Sequence, residues 1–167
     1  VPCDALETER ATDHLLFGIT GPKYIRFARE ATPVVTRPDT PFVWGEPNVY
    51  RYRGAKPNFI DAFECKLANE YDSENENLTI IACGPMVPEA MRAAWILKEA
   101  FGIETRVLNY HTLKPFVPDQ AIRAAAETGI VLTAEEHQVG GLANWVSHHL
   151  HAAPELYGVP VAFGTIG

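Results

Sequence analysis

The sequence predicts an α/β fold: an open, mainly parallel sheet with helices on both faces. From Leu78 onward, short β-branched runs alternate with amphipathic stretches, strand first, through four strands and three helices in about 90 residues. Consecutive strands are separated by enough chain for helical crossovers, which is what parallel pairing requires. The stretch Ile130 to Leu142, IVLTAEEHQVGGL, hands a buried strand to a helix across a turn that holds two carboxylates, an imidazole and two glycines. In open α/β sheets the carboxyl ends of the strands are where ligands bind.

In chain order, Asp4 stands three residues before Glu7, a capping-box spacing, and Ala5 to Phe17 places Leu6, Leu15 and Leu16 among charges, which predicts a helix. Gly21-Pro22 stops it. Lys23 to Phe27 (KYIRF) alternates polar and apolar residues as a strand does, and leads into Ala28, Arg29 and Glu30. From Thr32 to Pro57, prolines at 33, 38, 41, 47 and 57 and glycines at 45 and 54 leave no sustained period, so the stretch reads as an extended connector. Phe59, Ile60, Phe63 and Leu67 suit a short amphipathic helix over Asn58 to Tyr71.

LTIIACG then begins the regular part as a strand. Pro85 to Phe101 follows as a helix with Val87, Ala90, Met91, Ala94, Leu97 and Phe101 on one face, and Gly102 ends it. Thr105 to Asn109 is the second strand, and Pro118 opens a helix that runs to Thr128 before Gly129. Ile130 to Leu132 is the third strand, Gly141 to His151 the last helix, and Pro160 to Phe163 the fourth strand, an edge with no strand following it. That edge, with Trp95 lying off the inward stripe of its helix, predicts self-association.

A chain of 167 residues, 47% apolar and 21% charged, has the composition of a folded domain. A net charge of −7 argues against nucleic acid as a partner. Cys3, Cys65 and Cys83 form no CxxC pair and no disulfide framework, which fits a cytoplasmic location. No apolar run of about 18 residues suggests a membrane span. The opening VPCDALETE starts inside a strand-to-helix pattern and reads as an internal piece of a longer protein.

Four pieces of the sequence resemble one family, the transketolases. LTIIACG resembles the opening of that family's last domain, AAWILKEAFGIETRVLNYHTLKP its next segment, and TAEEHQVGGL its glutamate-histidine and double-glycine turn. VPCDALETE followed by GPKYIRFARE resembles the end of the middle, pyrimidine-binding domain. The resemblance implies three regions: 1–36 as a remnant of the pyrimidine-binding domain, 37–77 as a linker with a short helix, and 78–167 as a transketolase C-terminal-like domain. It implies an intact enzyme that moves a two-carbon ketol unit between sugar phosphates with thiamine diphosphate and Mg. The family's GDG metal motif does not occur here. The fragment alone is therefore expected to be inactive and to bind no cofactor, and to need the remaining domains of the parent enzyme or a companion subunit, as a homo-oligomer. GGLAN, with Ala143 and Asn144, departs from the family's glycine pattern.

By the same resemblance Arg29 holds the phosphate of a sugar phosphate, a task suited to a planar, permanently charged fork. The plain alternative is a surface arginine paired with Glu30. Arg26 is a second phosphate candidate, against the reading that it satisfies a structural carboxylate. Glu135, Glu136 and His137 could form an acid–base group, but no nucleophile accompanies them, so with Gly140 and Gly141 they read as interface or edge-of-sheet contacts. His148 and His151 share a helix face, yet two ligands make no zinc site. A free-standing doubly wound module, holding a small ligand near Cys83-Gly84 and Glu135 to His137, is the alternative from another class.

Overall fold

The computed structural model describes residues 1–137 and 140–167. Gln138 and Val139, inside the TAEEHQVGGL stretch, lie outside the described residues.

Six strands form one sheet: β1 (Asn48–Tyr52), β2 (Phe63–Leu67), β3 (Leu78–Ala82), β4 (Thr105–Asn109), β5 (Ile130–Ala134) and β6 (Ala162–Ile166), in the spatial order β2-β1-β4-β3-β5-β6. The four from β3 onward run parallel, and β1 and β2 add an antiparallel flank. Helices α1 (Ala5–Asp13), α2 (Met86–Phe101), α3 (Asp119–Thr128) and α4 (Leu142–Ala152) accompany the sheet. β3 lies between β4 and β5, so its LTIIA run meets apolar side chains above and below: Ile80 and Ala82 join one core, Ile81 the other. On the first face α2 contributes Val87, Ala90, Met91 and Ala94 of the predicted stripe, while Leu97 is half-buried and Phe101, in the last turn, is exposed. On the second face α3 packs through Ala121, Ala124 and Ala125, whose small side chains let it sit close, beside Leu142, Val146 and Leu150 of α4. Gly102 at φ 69° ends α2, with its N–H and that of Ile103 returning to Lys98 and Leu97 carbonyls.

Four stretches differ from the sequence expectation. The connector contains β1, whose five residues are all buried, with Val49 in one core and Tyr50 and Tyr52 in the other. The expected helix over Asn58 to Tyr71 is a single 3-10 turn, Phe59–Ala62, capped by the Asn58 side chain, followed by β2 and a second short turn. Pairing with β1, which sets Tyr52 against Phe63 and Tyr50 against Cys65, outweighs a spacing that also matched a helix. Thus 37–77 contributes two strands to the sheet. Lys23 to Phe27, expected as a strand, has no regular structure and joins no ladder among the described residues. β6 begins two residues later than expected, and it is an edge strand as expected.

At the amino end of the sheet, Arg51 of β1 stands directly opposite Arg106 of β4. Both are buried, and like charges placed so would repel. Glu76 lies between them, with Arg106 Nη2 at 2.8 Å and Arg51 Nε at 3.4 Å, and it also accepts from the Tyr71 hydroxyl. Glu104 and Glu127 neutralise the outer ends of the two arginines. Burial alone would raise the Glu76 carboxyl, but hydrogen bonds from Tyr71 and Arg106 prevail and hold its pKa at about 2.

Candidate functional site at the carboxyl edge of the sheet

The parallel strands end at Ala82, Asn109, Ala134 and Ile166. The crevice beyond them is filled by the chain's own amino-terminal segment. Asp4 caps α1 by accepting from the Glu7 N–H at 2.9 Å, and also receives the N–H groups of Val35 and Thr36. The Glu7 carboxylate then reaches back to the Cys3 N–H at 2.7 Å and across to Asn109 Nδ2 at 2.7 Å. Burial raises its pKa against the pull of those two donors. Gly84, at φ 57°, donates to the Val1 carbonyl at 3.1 Å, and a Cβ there would meet the Val1 side chain at 2.8 Å. The residues proposed for a free-standing ligand site are thus covered on this side: Cys83 is buried, and desolvation pushes its thiol up to about 12. Cys65 is likewise held at about 12, chiefly by burial, and Cys3 is raised for the same reason, so none is a ready thiolate.

The β5–α4 turn is an anchor. Glu135 is buried, its N–H donates to the Ile166 carbonyl at 3.1 Å, and its two carboxylate oxygens accept from the N–H groups of Leu142 and Ala143, each at 2.8 Å. Those are free donors of the first turn of α4, where a negative charge also suits the helix dipole. A Cβ on Gly141 would fall 1.9 Å from Glu135 Oε2, so glycine is required there by close approach. Gly140, at φ 91°, donates to Asn144 Oδ1 at 3.2 Å, which gives Asn144 of the divergent GGLAN sequence a capping task.

Glu136 and His137 are exposed on this turn. Glu136 meets Arg26, with Arg26 Nη2 at 3.6 Å from its carboxylate. Two residues singled out separately from the sequence are therefore neighbours on the surface. Arg29 is exposed and, among the described residues, takes part in no ion pair, with Glu30 or otherwise. No group of three metal-ligating side chains gathers among the described residues. His149 stacks on Phe116 at 5.3 Å, while His148 and His151 are exposed.

Sequence reasoning had not singled out Asn109 or His111, both at the carboxyl end of β4. His111 is buried against Phe42 at 4.5 Å with Nδ1 2.8 Å from Thr112 Oγ1, and burial lowers its pKa to about 4. Their signal was only positional: polar residues just past a buried strand stand where edge contacts form.

The model of the transketolase C-terminal domain matches residues 68–163, more than half of the chain. The chain belongs to the transketolase family. Among its relatives is an apulose-4-phosphate transketolase subunit of Phocaeicola vulgatus, 33% identical over 96% of this chain and 45% of that protein. A 6-deoxy-6-sulfo-D-fructose transketolase subunit of a Clostridium species is 31% identical over 99% of this chain and 46% of its own. A split-gene transketolase, solved as an inactive beta4 tetramer, superposes with a TM-score of 0.73 at 32% identity, over 99% of this chain and 46% of that one. This transketolase-like chain spans about half the length of the relatives it matches. Among its described residues no helix is long and apolar enough to cross a membrane.

Proposed function

We propose that this chain forms the carboxyl-terminal portion of a transketolase-like enzyme that transfers a two-carbon ketol unit to or from a sugar carrying an anionic terminus, using thiamine diphosphate and Mg held elsewhere in the assembly. The observation that carries the reading is the segment 19–34. It has no ladder and carries an exposed Arg29, three residues after Arg26, which meets Glu136 on the β5–α4 turn at the carboxyl edge of a transketolase C-terminal-like sheet. A strand-like run such as KYIRF leaves its backbone groups unpaired until another chain segment supplies a sheet. Residues 1–36 would then complete a pyrimidine-binding domain whose remainder comes from the parent enzyme or a companion subunit, in keeping with relatives that are described as subunits.

The residues present do not suit the cofactor itself. Glu7 and Glu135 are buried and already hydrogen-bonded to backbone and to Asn109, and the described residues gather no metal-binding group. The cofactor supplies the carbanion chemistry, and this chain supplies binding and packing. Arg29 suits the anionic end of the substrate. The named substrates of the two subunit relatives end in a phosphate and a sulfonate, both tetrahedral oxyanions that a guanidinium fork can accept.

Calorimetry and turnover test this. The isolated chain should bind thiamine diphosphate no better than buffer and should transfer no ketol unit, whereas adding the companion should restore both. Micromolar cofactor binding by the chain alone would refute the division of labour. In the assembled enzyme, Arg29→Ala should raise KM for phosphorylated or sulfonated substrates about 10- to 100-fold, as loss of a charge-assisted hydrogen bond does. KM for the same sugars without the anionic group should hardly change.

A further inference from the structure

We infer that Glu136 is a positioning residue: through Arg26 it latches the unpaired segment 19–34 to the β5–α4 turn and so restricts where Arg29, three residues on, can stand. This deepens the proposed function and rests on Arg29 meeting the anionic end of the substrate.

One side of the latch is rigid. Glu135 is locked from both directions, by Ile166 through its N–H and by Leu142 and Ala143 through its carboxylate, which sits where Gly141 carries no side chain. Glu136 is the next residue, so its backbone position is fixed by that anchor. The other side is loosely held. Among the described residues, segment 19–34 makes one ion pair, Arg26 with Glu136, and no hydrogen bond. The flanks are tied down, by the stacking of His14 on Trp44 before the segment and by Asp4 holding Val35 and Thr36 after it. Between those flanks, the Arg26–Glu136 contact is the polar tether. Arg29 follows Arg26 by three residues, so at most about 10 Å of chain separates it from the tether, and holding Arg26 at Glu136 narrows where Arg29 can stand.

Both partners are more than a third exposed, at 37% and 43%, so their pairing is a modest restraint. It matters because the anion site needs a guanidinium placed to within a fraction of an ångström.

The test uses the chain assembled with its companion, with ribose 5-phosphate and ribose as paired acceptors. Glu136→Gln and, separately, Arg26→Gln should each raise KM for the phosphorylated acceptor about two- to five-fold, the range of an exposed ion pair. Neither should change kcat or the KM for ribose. The charge-reversed pair Arg26→Glu with Glu136→Arg should recover much of the loss, which a merely structural role for either residue would not produce. If Arg29→Ala is selective for the phosphorylated acceptor while both latch variants are silent, or affect both acceptors equally, the latch is wrong and the anion-site reading stands. If Arg29→Ala is itself unselective, the anion-site reading falls and the latch with it. Thermal denaturation of each variant identifies any that fails to fold. In that case the charge-reversed pair decides: selective recovery supports the latch, and none overturns it.

Discussion

A methyl group on Gly141 would occupy the place of a Glu135 carboxylate oxygen, 1.9 Å away, so the two residues are coupled in a way that chemistry can read. Gly141→Ala must expel the carboxylate from the first turn of α4 or shift the turn, and overpacking of this kind costs about 1–3 kcal/mol. In a Glu135→Ala background the same change should cost much less, and a urea double-mutant cycle measures the difference. His111 offers a second residue-scale expectation. Its folded pKa of about 4 lies below the ordinary 6.5, so the unfolded chain binds the proton more readily. Its contribution is fully present above about pH 6.5 and is lost as pH falls toward 4. Denaturation midpoints of the native chain should fall through that window, and His111→Gln should flatten the decline. At this scale the sequence was informative where a residue had a local partner. Asp4 and Glu7 were legible as a cap, yet nothing local announced that Glu7 would reach Asn109, 102 residues away.

Elements with their own period were legible, and elements made by pairing were not. β3 to β5, with α2 to α4, repeat a pattern most of whose apolar positions fall in the two cores, although Ile130, Phe101 and the strand β6 stay largely exposed, and Gly102 and Gly129 mark the ends of α2 and α3. β1 and β2 lie among prolines and read as connector and helix because their stabilisation comes from each other and from β4. The Arg51–Glu76–Arg106 cluster shows what that pairing requires. Removing the central carboxylate charge by Glu76→Gln leaves two buried guanidinium groups opposed, and breaking a buried ion pair costs about 3–5 kcal/mol. The pH dependence has its own sign. The folded carboxyl pKa of about 2 lies below the ordinary 4.5, so its stabilisation is present above about pH 4.5 and is lost as pH falls toward 2. Chemical denaturation at pH 6, 4 and 3 should show the native chain losing stability in that acid window and Glu76→Gln losing less, separate from the higher window of His111.

At the scale of the molecule, the sheet is asymmetric in how its edges are protected. β2 carries Glu64 and Lys66, charges that discourage a further strand, and its partner β1 is covered. β6 reads Ala162, Phe163, Gly164, Thr165 and Ile166, with no charge or proline within it, and Phe163 and Ile166 are 37% and 49% exposed. Beside it a cavity of about 290 Å³ is lined by Leu150, Leu156, Tyr157, Val159 and Phe163, while Tyr157 itself is 73% exposed. Pairing β6 with β6 of a second copy about a two-fold axis would cover this open edge with the same surface from both chains. The chain, of 18.5 kDa, should therefore scatter light as a dimer or larger at about 100 μM, far above the micromolar dissociation constants of weak specific interfaces. Thr165→Lys places a charge on the open edge and should shift the mass toward one chain while leaving the denaturation midpoint nearly unchanged. A monomer mass persisting across the concentration series would show that β6 is left for something other than this chain to cover.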